Sequence, residues 1–440
     1  MKLEQPSPAR SPARAGTADA GSKTRQIVAS GIVGNIIEWY DFALYGYLAP
    51  ITAQLFFPSG DPFTSLINTF AVFALGFLAR PVGGVMYGHI GDRAGRRAAL
   101  IASIALMAAS TVAMGPLPTY ATVGLLAPVL LVLLRLLQGV STGGEFVGSI
   151  AFLVEHAPRG RQGLWGSLAN FGAAIGGALG AGVGWLTAAG MPPEVLQAWG
   201  WRLPFLSALL VTAGGLWLRL RVPESPVYVA LSQKDGVEPA PLRTAFRAHK
   251  ADMATVFGLN WVVSAGYYIV FVWLVTDMSE VAGLPLHLAM AIGTVGLLAG
   301  AVLTPVAGYL SDRIGRRAML VAIGAATTVG AIPLLLAAGS GSALAALLGQ
   351  LTLAALIAGY LGAMPAVFAS QIPAQLRCSG LAVGYNGALA LFGGTAPLIA
   401  TLLVEATGWR AAPGLYLALT ALVGLALVPR VASPPPATSW

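Results

Sequence analysis

The chain has 440 residues, of which 56% are hydrophobic and only 10% charged, whereas a soluble domain carries about a quarter charged residues. That balance excludes a water-soluble globular protein, and the single cysteine, Cys378, excludes a disulfide framework and any metal site built on cysteines alone. The net charge of +8 would suit nucleic acid, but the basic residues come in small groups between apolar runs, the pattern of membrane topology, so no nucleic-acid partner is expected.

Residues 1–24 are rich in Pro, Ala and Ser and lack a compact apolar core ending in a cleavage site, so they read as a disordered tail and not as a cleaved leader. Apolar runs able to cross a hydrocarbon core of roughly 30 Å as helix follow at 27–55, 66–89, 98–115, 124–154, 163–189, 202–221, 254–277, 287–310, 318–338, 342–370, 379–404 and 411–429. These twelve spans define an all-α membrane protein of two six-helix bundles, 25–221 and 254–429. The polar stretch 222–253 between them reads as a linker and 430–440 as a short tail. With both termini in the cytoplasm, all but four of the 25 Lys and Arg fall on the inner side. The exceptions are Arg80 and Arg135 inside spans, and Arg202 and Arg410 at the outer starts of spans 6 and 12. This bias sets the orientation with both ends inside. His89, His156, His249 and His287 lie far apart without ligand spacing, so no metal and no cofactor is expected.

The chain contains an internal repeat. Residues 88–100 read GHIGDRAGRRAAL and 308–320 read GYLSDRIGRRAML, each after an even-numbered span, so the halves are parallel repeats. Asp92, Arg93, Arg96 and Arg97, with their counterparts Asp312, Arg313, Arg316 and Arg317, read either as a positive-inside anchor or as a cytoplasmic gate. In the second reading, a carboxylate and arginine forks near helix ends hold one closed state. The GxxxDRxGRR pattern resembles the loop signature of the major facilitator superfamily. GNIIEWYDFALYGY at 34–47, FLARPVGG at 77–84, RLLQGVSTGGEF at 135–146 and WGWRLPF at 199–205 resemble its metabolite:proton symporter branch. That branch includes carriers of proline and betaine, of alpha-ketoglutarate and of citrate, so the resemblance implies a twelve-helix transporter working on a small solute and protons, as a monomer.

Ionisable groups in hydrocarbon are functional candidates by default, with a bundle-facing structural pair as the alternative. Glu38 lies eleven residues into span 1, roughly 16 Å deep at about 1.5 Å per residue, and shares one helical face with Gly34, Asp41 and Tyr45. Two carboxylates within one turn disfavour joint ionisation, which is what a proton-coupling site requires; pairing with an arginine is the alternative. Arg80 stands on the stripe Gly76, Arg80, Gly84 and Gly88, whose glycines admit a neighbouring helix, so its fork is expected to meet Glu38, Asp41 or a substrate carboxylate. Span 4 carries the polar stripe Arg135, Gln138, Thr142, Glu145 and Ser149. The resemblance places it on the cavity wall, with Glu145 a third protonation candidate or the partner of an arginine. Gly172, Gly176, Gly180 and Gly184 in span 5 read as packing.

The second half has only Asp277 inside its spans, at the outer end of span 7, so its substrate contacts should be amide or aromatic. Asn260, Ser264 and Tyr267 share a face of span 7, with Trp261 and Tyr268 beside them, and span 11 offers Tyr385 and Asn386. The expected substrate contacts are therefore Tyr45, Arg80, Arg135, Gln138 and Arg202 from the first half and Asn260, Trp261, Tyr267, Tyr268 and Asn386 from the second. The chain lacks a nucleophile–base pair at depth, a filter pattern and a GxxxxGK[ST] loop, which turns the reading away from an enzyme, a channel and an ATP-driven pump. Proton symport of a carboxylate-bearing metabolite is the expectation, with facilitated diffusion and compatible-solute uptake as rivals. The chain ends about eleven residues past span 12, without the coiled-coil extension that osmosensing relatives can carry. That favours a di- or tricarboxylate over a betaine.

Overall fold

The computed structural model describes residues 13–84, 86–87, 96–143, 145–221, 241–373 and 376–431; for 13–27, 30–31, 96–100, 145, 215–221, 241–243 and 378 it describes the backbone alone. All regular structure among these residues is helical. The long helices are α1 (Ala13–Tyr47), α2 (Pro62–Gly84), α3 (Arg96–Met114), α4 (Leu126–Glu155), α5 (Gln162–Gly190) and α6 (Arg202–Arg221) in the first half. In the second they are α7 (Lys250–Val281), α8 (Leu286–Ile314), α9 (Arg316–Ala338), α10 (Ala343–Gln371), α11 (Ser379–Thr407) and α12 (Ala412–Arg430). Nine of them, among the described residues, are long and apolar enough to cross a membrane.

Burial is inverted relative to a soluble protein. Leu133, Leu210, Val302, Val329 and Leu344 are more than half exposed on the outside, while Thr69, Arg135, Gln138, Asn260 and Gln350 are fully buried inside. A lipid-facing bundle distributes them this way, because its polar groups must be satisfied by the protein itself.

The helix contacts that position the interior run through glycines. A Cβ at Gly139 of α4 would overlap the Gly76 carbonyl oxygen of α2, and one at Gly83 would overlap that of Val140, so α2 and α4 touch backbone to backbone. Gly172, Gly176 and Gly180 of α5 bring it equally close to Ile32, Ile36 and Tyr40 of α1, whereas Gly184 faces open space. The two halves meet through the same device. Gly163 at the start of α5 and Gly308 near the end of α8 leave no room for a side chain, a Cβ on Gly308 lying 2.5 Å from the Gly163 carbonyl oxygen. Toward the opposite end of the bundle α1 meets α7, where a Cβ on Gly46 would lie 2.9 Å from Val272, and α2 meets α11 through Phe63 and Leu66 beside Thr401 and Val404. The halves are thus in contact toward both ends.

Three sequence expectations shift. Helix α1 starts at Ala13, inside the stretch read as a disordered tail, because ARAGTADA is dominated by the strongest helix former; residues 1–12 lie outside the described residues. Pro241–Ala248 forms a short helix and α7 starts at Lys250, so the end of the expected linker is helical. Helix α4 is interrupted at Thr142, whose backbone is extended. Asp61 starts α2 by accepting from the amides of Phe63 and Thr64 and from the Thr64 hydroxyl, and the hydroxyl's hydrogen bond is the main reason its carboxyl sits below the usual range.

Gly308→Val is expected to wedge α5 from α8, lengthening spin-label distances across that end and slowing transport while the protein still inserts. Unchanged distances and rate would show that the glycine contact does not hold the halves together.

Candidate functional site

The polar interior is assembled where α1, α2 and α4 face α7 and α11. On α1, residues 38, 41, 42 and 45 fall on one face by their spacing of three and four. Arg80 of α2 donates from Nη2 to Glu38 Oε1 at 2.9 Å, both side chains being buried, and its guanidinium lies 5.5 and 5.7 Å from the rings of Phe42 and Phe77. Of the partners open to Arg80, the structure therefore selects Glu38.

Arg135 of α4 is fully buried and meets no carboxylate among the described residues. Its Nη1 donates to Gln138 Oε1, while Nε and Nη2 have no hydrogen-bond partner. Its guanidinium rests over Tyr45 at 4.4 Å, Phe42 at 5.1 Å and Phe73 at 5.3 Å, a cation–π enclosure that offsets part of its desolvation. Gln138 passes the contact on, donating to the backbone oxygen of Asp41 at 3.2 Å and to Thr111 Oγ1 at 2.7 Å. Asp41 is fully buried and neither carboxylate oxygen has a partner. The nearby Thr111 hydroxyl spends its proton on the Met107 carbonyl.

An aromatic wall joins this cluster to the second half. Trp39 meets Phe146 edge-on at 5.7 Å and Tyr267 at 5.6 Å, and stacks toward Tyr268 at 6.5 Å. Tyr268 packs on Phe73 and Phe77, and Phe146 stacks on Tyr385 at 5.2 Å. Tyr268 and Tyr385 lie within electrostatic reach of Arg80 and Glu38. Trp39 Nε1, Tyr268 Oη, Ser264 Oγ and Asn260 Oδ1 are buried without a partner, although Asn260 Nδ2 donates to the Tyr385 carbonyl at 3.0 Å. Each such group costs about 1–3 kcal/mol. Their concentration at the junction of the halves is what a binding site for a polar solute requires. Beyond Tyr268 and Asn386, α7 and α11 widen into π-helical turns at Ile269–Trp273 and Leu389–Gly393, a feature frequent at functional sites.

The structure thus brings together Glu38, Asp41, Tyr45, Arg80, Arg135, Gln138, Asn260, Tyr267 and Tyr268. Tyr45 donates to the Thr69 carbonyl. Asn386 sits across the junction, donating to the Gly143 carbonyl beside the break in α4 at 2.8 Å. Trp261 does not join them: one residue, about 100° around α7, turns its indole away, to stack on Phe392 and donate to the Tyr416 hydroxyl. Arg202 is also elsewhere, over Trp201 at the start of α6 and donating to the Leu117 carbonyl. The Glu145 side chain, Asp92 and Arg93 lie outside the described residues, as do the side chains of Arg96 and Arg97. Sequence reasoning left out Trp39, Phe42, Phe73, Phe77 and Phe146; the signal available was adjacency, since Trp39 and Phe42 flank the two carboxylates in EWYDF.

The second copy of the loop motif lies at the end where Gly163 meets Gly308. Asp312 accepts from the amides of Gly163 at 2.8 Å and Leu164 at 2.9 Å, capping the positive start of α5 in the other half. Arg316 donates to Gln162 Oε1 and the Ala366 carbonyl, whereas Arg313 lies over Tyr309 and Arg317 donates to the Val431 carbonyl. Gly315 between them has φ 94°, a conformation that favours glycine. A second tie crosses here, from Arg377 Nη1 to Glu155 Oε1 at 2.5 Å.

The profile of the Major Facilitator Superfamily matches residues 32–377 and, in a second alignment, 256–439. A glycine betaine/proline/ectoine/pipecolic acid transporter of Dickeya dadantii is 33% identical over 418 residues, covering 92% of this chain and 82% of its own. The citrate-proton symporter of Klebsiella pneumoniae is 34% identical over 440 residues, 97% and 94% of the two chains. The alpha-ketoglutarate permease of Escherichia coli is 34% identical over 392 residues, 89% of each. The solved structure of a proton:xylose symporter shares the fold with a TM-score of 0.76 at 17% identity, covering 93% of this chain and 96% of that one. The chain belongs to the major facilitator superfamily, and it is a membrane transporter, not an enzyme.

If the Arg80–Glu38 pair is a mutual requirement, Glu38→Gln alone lowers stability by about 3–5 kcal/mol by stranding a buried guanidinium, and adding Arg80→Gln restores much of it. Thermal unfolding of the purified single and double variants measures this; equal losses that simply add would show that the pair is not coupled.

Proposed function

We propose that the protein carries a small carboxylate-bearing metabolite into the bacterial cell together with protons, by alternating access at the cluster between the halves. One observation supports this reading: Asp41, a buried carboxylate without a partner among the described residues, is tied at its backbone oxygen through Gln138 to Arg135, a buried guanidinium that meets no carboxylate among those residues. An isolated charge in such a place is costly, and taking up a proton removes it from Asp41. The cluster of Glu38, Arg80 and Arg135 then has one uncompensated positive charge, matched by one acid group on a solute at the unused Nε and Nη2 of Arg135. When Asp41 releases its proton its carboxylate competes for Arg135, and the solute's hold weakens. Proton and solute therefore favour each other's binding, and by linkage the coupling is reciprocal.

Two substrate classes satisfy that requirement. An organic di- or tricarboxylate uses further donors of the cluster, Arg80 Nε and the tyrosine and tryptophan hydrogens. A betaine-type zwitterion sets its ammonium against the faces of Trp39, Tyr267 and Tyr268, and the aromatic wall is the observation that favours it. Both classes occur among the names of the related carriers. Competition for uptake in proteoliposomes by citrate, alpha-ketoglutarate, proline and glycine betaine separates them, and indifference to all four would remove the carboxylate reading.

The basic bias of the loops supports placing the Asp312 end, and both termini, in the cytoplasm of a bacterial inner membrane. There the Asp312 cap on α5 acts as a gate that opens once per cycle. Asp312→Asn is expected to lower turnover several-fold while leaving substrate affinity within about twofold; a tenfold loss of affinity at unchanged turnover would put the turn in the binding site.

Asp41→Asn is expected to abolish accumulation driven by a pH gradient, because an amide cannot titrate, while exchange of labelled for unlabelled solute largely survives. The deciding quantity is the ratio of gradient-driven uptake to exchange. A wild-type ratio would pass the coupling role to Glu38 or Glu145.

A further inference from the structure

Just beyond the aromatic wall, helix α7 is wound wider than an α-helix, and a side chain that the transport reading leaves unused touches it there. In the turn Ile269–Trp273 the Leu274 amide donates to the Ile269 carbonyl, five residues back. In an α-helix that amide would serve Val270. The turn therefore takes from the Val270 carbonyl its α-helical donor, in a stretch where every residue from Tyr268 to Met278 is buried. Gln350 of α10 supplies another: its Nε2 donates to the Val270 oxygen at 3.1 Å, and its side chain is fully buried. Room for it comes from Gly296 of α8, where a Cβ would lie 2.7 Å from both Cγ and Nε2 of Gln350. Helices α7, α8 and α10 thus converge on one backbone carbonyl.

We infer that Gln350 is a positioning residue for transport: it keeps α7 in this wide winding and so sets which residues of the outer part of α7 meet the first half. A π-helical turn holds one residue more than an α-helical one. Were this turn to rewind as α-helix, everything beyond it would move by one residue, about 100° around the axis and about 1.5 Å along it. The observed register aims Val272 at Gly46 of α1, Phe271 at Gly300 of α8 and Val275 at Gly293 of α8. It also sets Trp273, Thr276 and Asp277 against Phe63 and Leu66 of α2, in the seam between the halves. Rewinding brings Val275 to the direction that Thr276 holds. Tyr267 and Tyr268 precede the turn and keep their places in either winding, so the amide acts on closure of the seam and not on the aromatic wall. An apolar side chain at 350 would fill the same space and leave the carbonyl to its α-helical donor, because a buried carbonyl without a partner is costly.

The test is cysteine cross-linking across the seam with a short bifunctional reagent, in the full chain carrying Cys378→Ser, with Leu66→Cys paired in turn with Thr276→Cys and Val275→Cys. With Gln350 in place, the 276 pair links several-fold faster than the 275 pair. In Gln350→Met, which keeps the length and loses the donor, that preference is expected to vanish or reverse. Turnover in proteoliposomes should fall several-fold, with solute affinity within about twofold of the wild type. Gly296→Ala, which pushes the amide off the carbonyl with Gln350 unchanged, is expected to do the same. A glutamine that only adds stability lowers the unfolding midpoint and leaves the 276 preference and the turnover intact; that result in either variant overturns the proposal. So does a wild type that links both pairs equally, or a lost preference at unchanged turnover, since the register would then not matter for transport. The inference rests on the alternating-access reading, whose own failure shows separately, in wild-type uptake and exchange.

Discussion

At the centre of a bundle with an apolar exterior, the described residues bring together Arg80, Arg135, Glu38 and Asp41, and the arrangement depends on how closely α2 approaches α4. The same glycine that lets the backbones touch also receives an arginine: a Cβ at Gly76 would lie 3.1 Å from Arg135 Nη2. Closing the crossing with larger residues would separate the helices and at the same time displace the guanidinium from its aromatic enclosure. Burying a charge in low-dielectric surroundings costs several kcal/mol after relaxation. Arg80 recovers that through Glu38, and Arg135 through Gln138 and three aromatic faces. The two arginines, one turn-and-glycine geometry apart from each other's helix, are thus stabilised by different means, and only one of them uses a carboxylate.

The halves share an architecture but not a chemistry. The first supplies the charges of the centre, on α1, α2 and α4. The second supplies amides and aromatic faces, together with the contacts that close the bundle: Asn386 on the Gly143 carbonyl, Asp312 on the start of α5, Arg316 on Gln162, and Arg377 on Glu155. Several of these ties are partly solvent-accessible, so each contributes modestly, and the set can be exchanged for hydration when one end opens. A solute held by charges of one half and aromatic faces of the other acts on the same balance, since its contacts are complete only when the halves are together.

Much of this was legible in the sequence, for identifiable reasons. A repeat of the DRxGRR turn half a chain apart announces two equivalent halves, and a deficit of charge announces lipid. Spacings of three and four group Glu38, Asp41 and Tyr45 on one face, because a helix converts spacing into direction without help from its neighbours. What spacing does not convey is which of two acids on one face meets Arg80, since that depends on where α2 crosses α1. The aromatic wall was equally hidden: Phe73, Phe77 and Phe146 look like any membrane-span residue until the opposite half is in place. Trp261 shows the converse error, an attractive side chain one residue off the face that matters.

Asp41 and Arg135 raise the remaining question, which is why a buried acid and a buried base, both touched by Gln138, are not joined directly. Gln138 links the two residues through the backbone of the acid, its carbonyl accepting from the arginine and its amide donating to the backbone oxygen of Asp41. A direct ion pair would be the more stable arrangement for the protein alone, but it would leave neither partner responsive. In the proposed mechanism this leaves the acid to exchange a proton and the base to take an anion, while the amide keeps its own hydrogen bonds. The structural cost is a set of unsatisfied polar atoms at the centre. Such costs are tolerated where they keep two arrangements within a few kcal/mol of each other, so that a proton and a solute are enough to tip the balance.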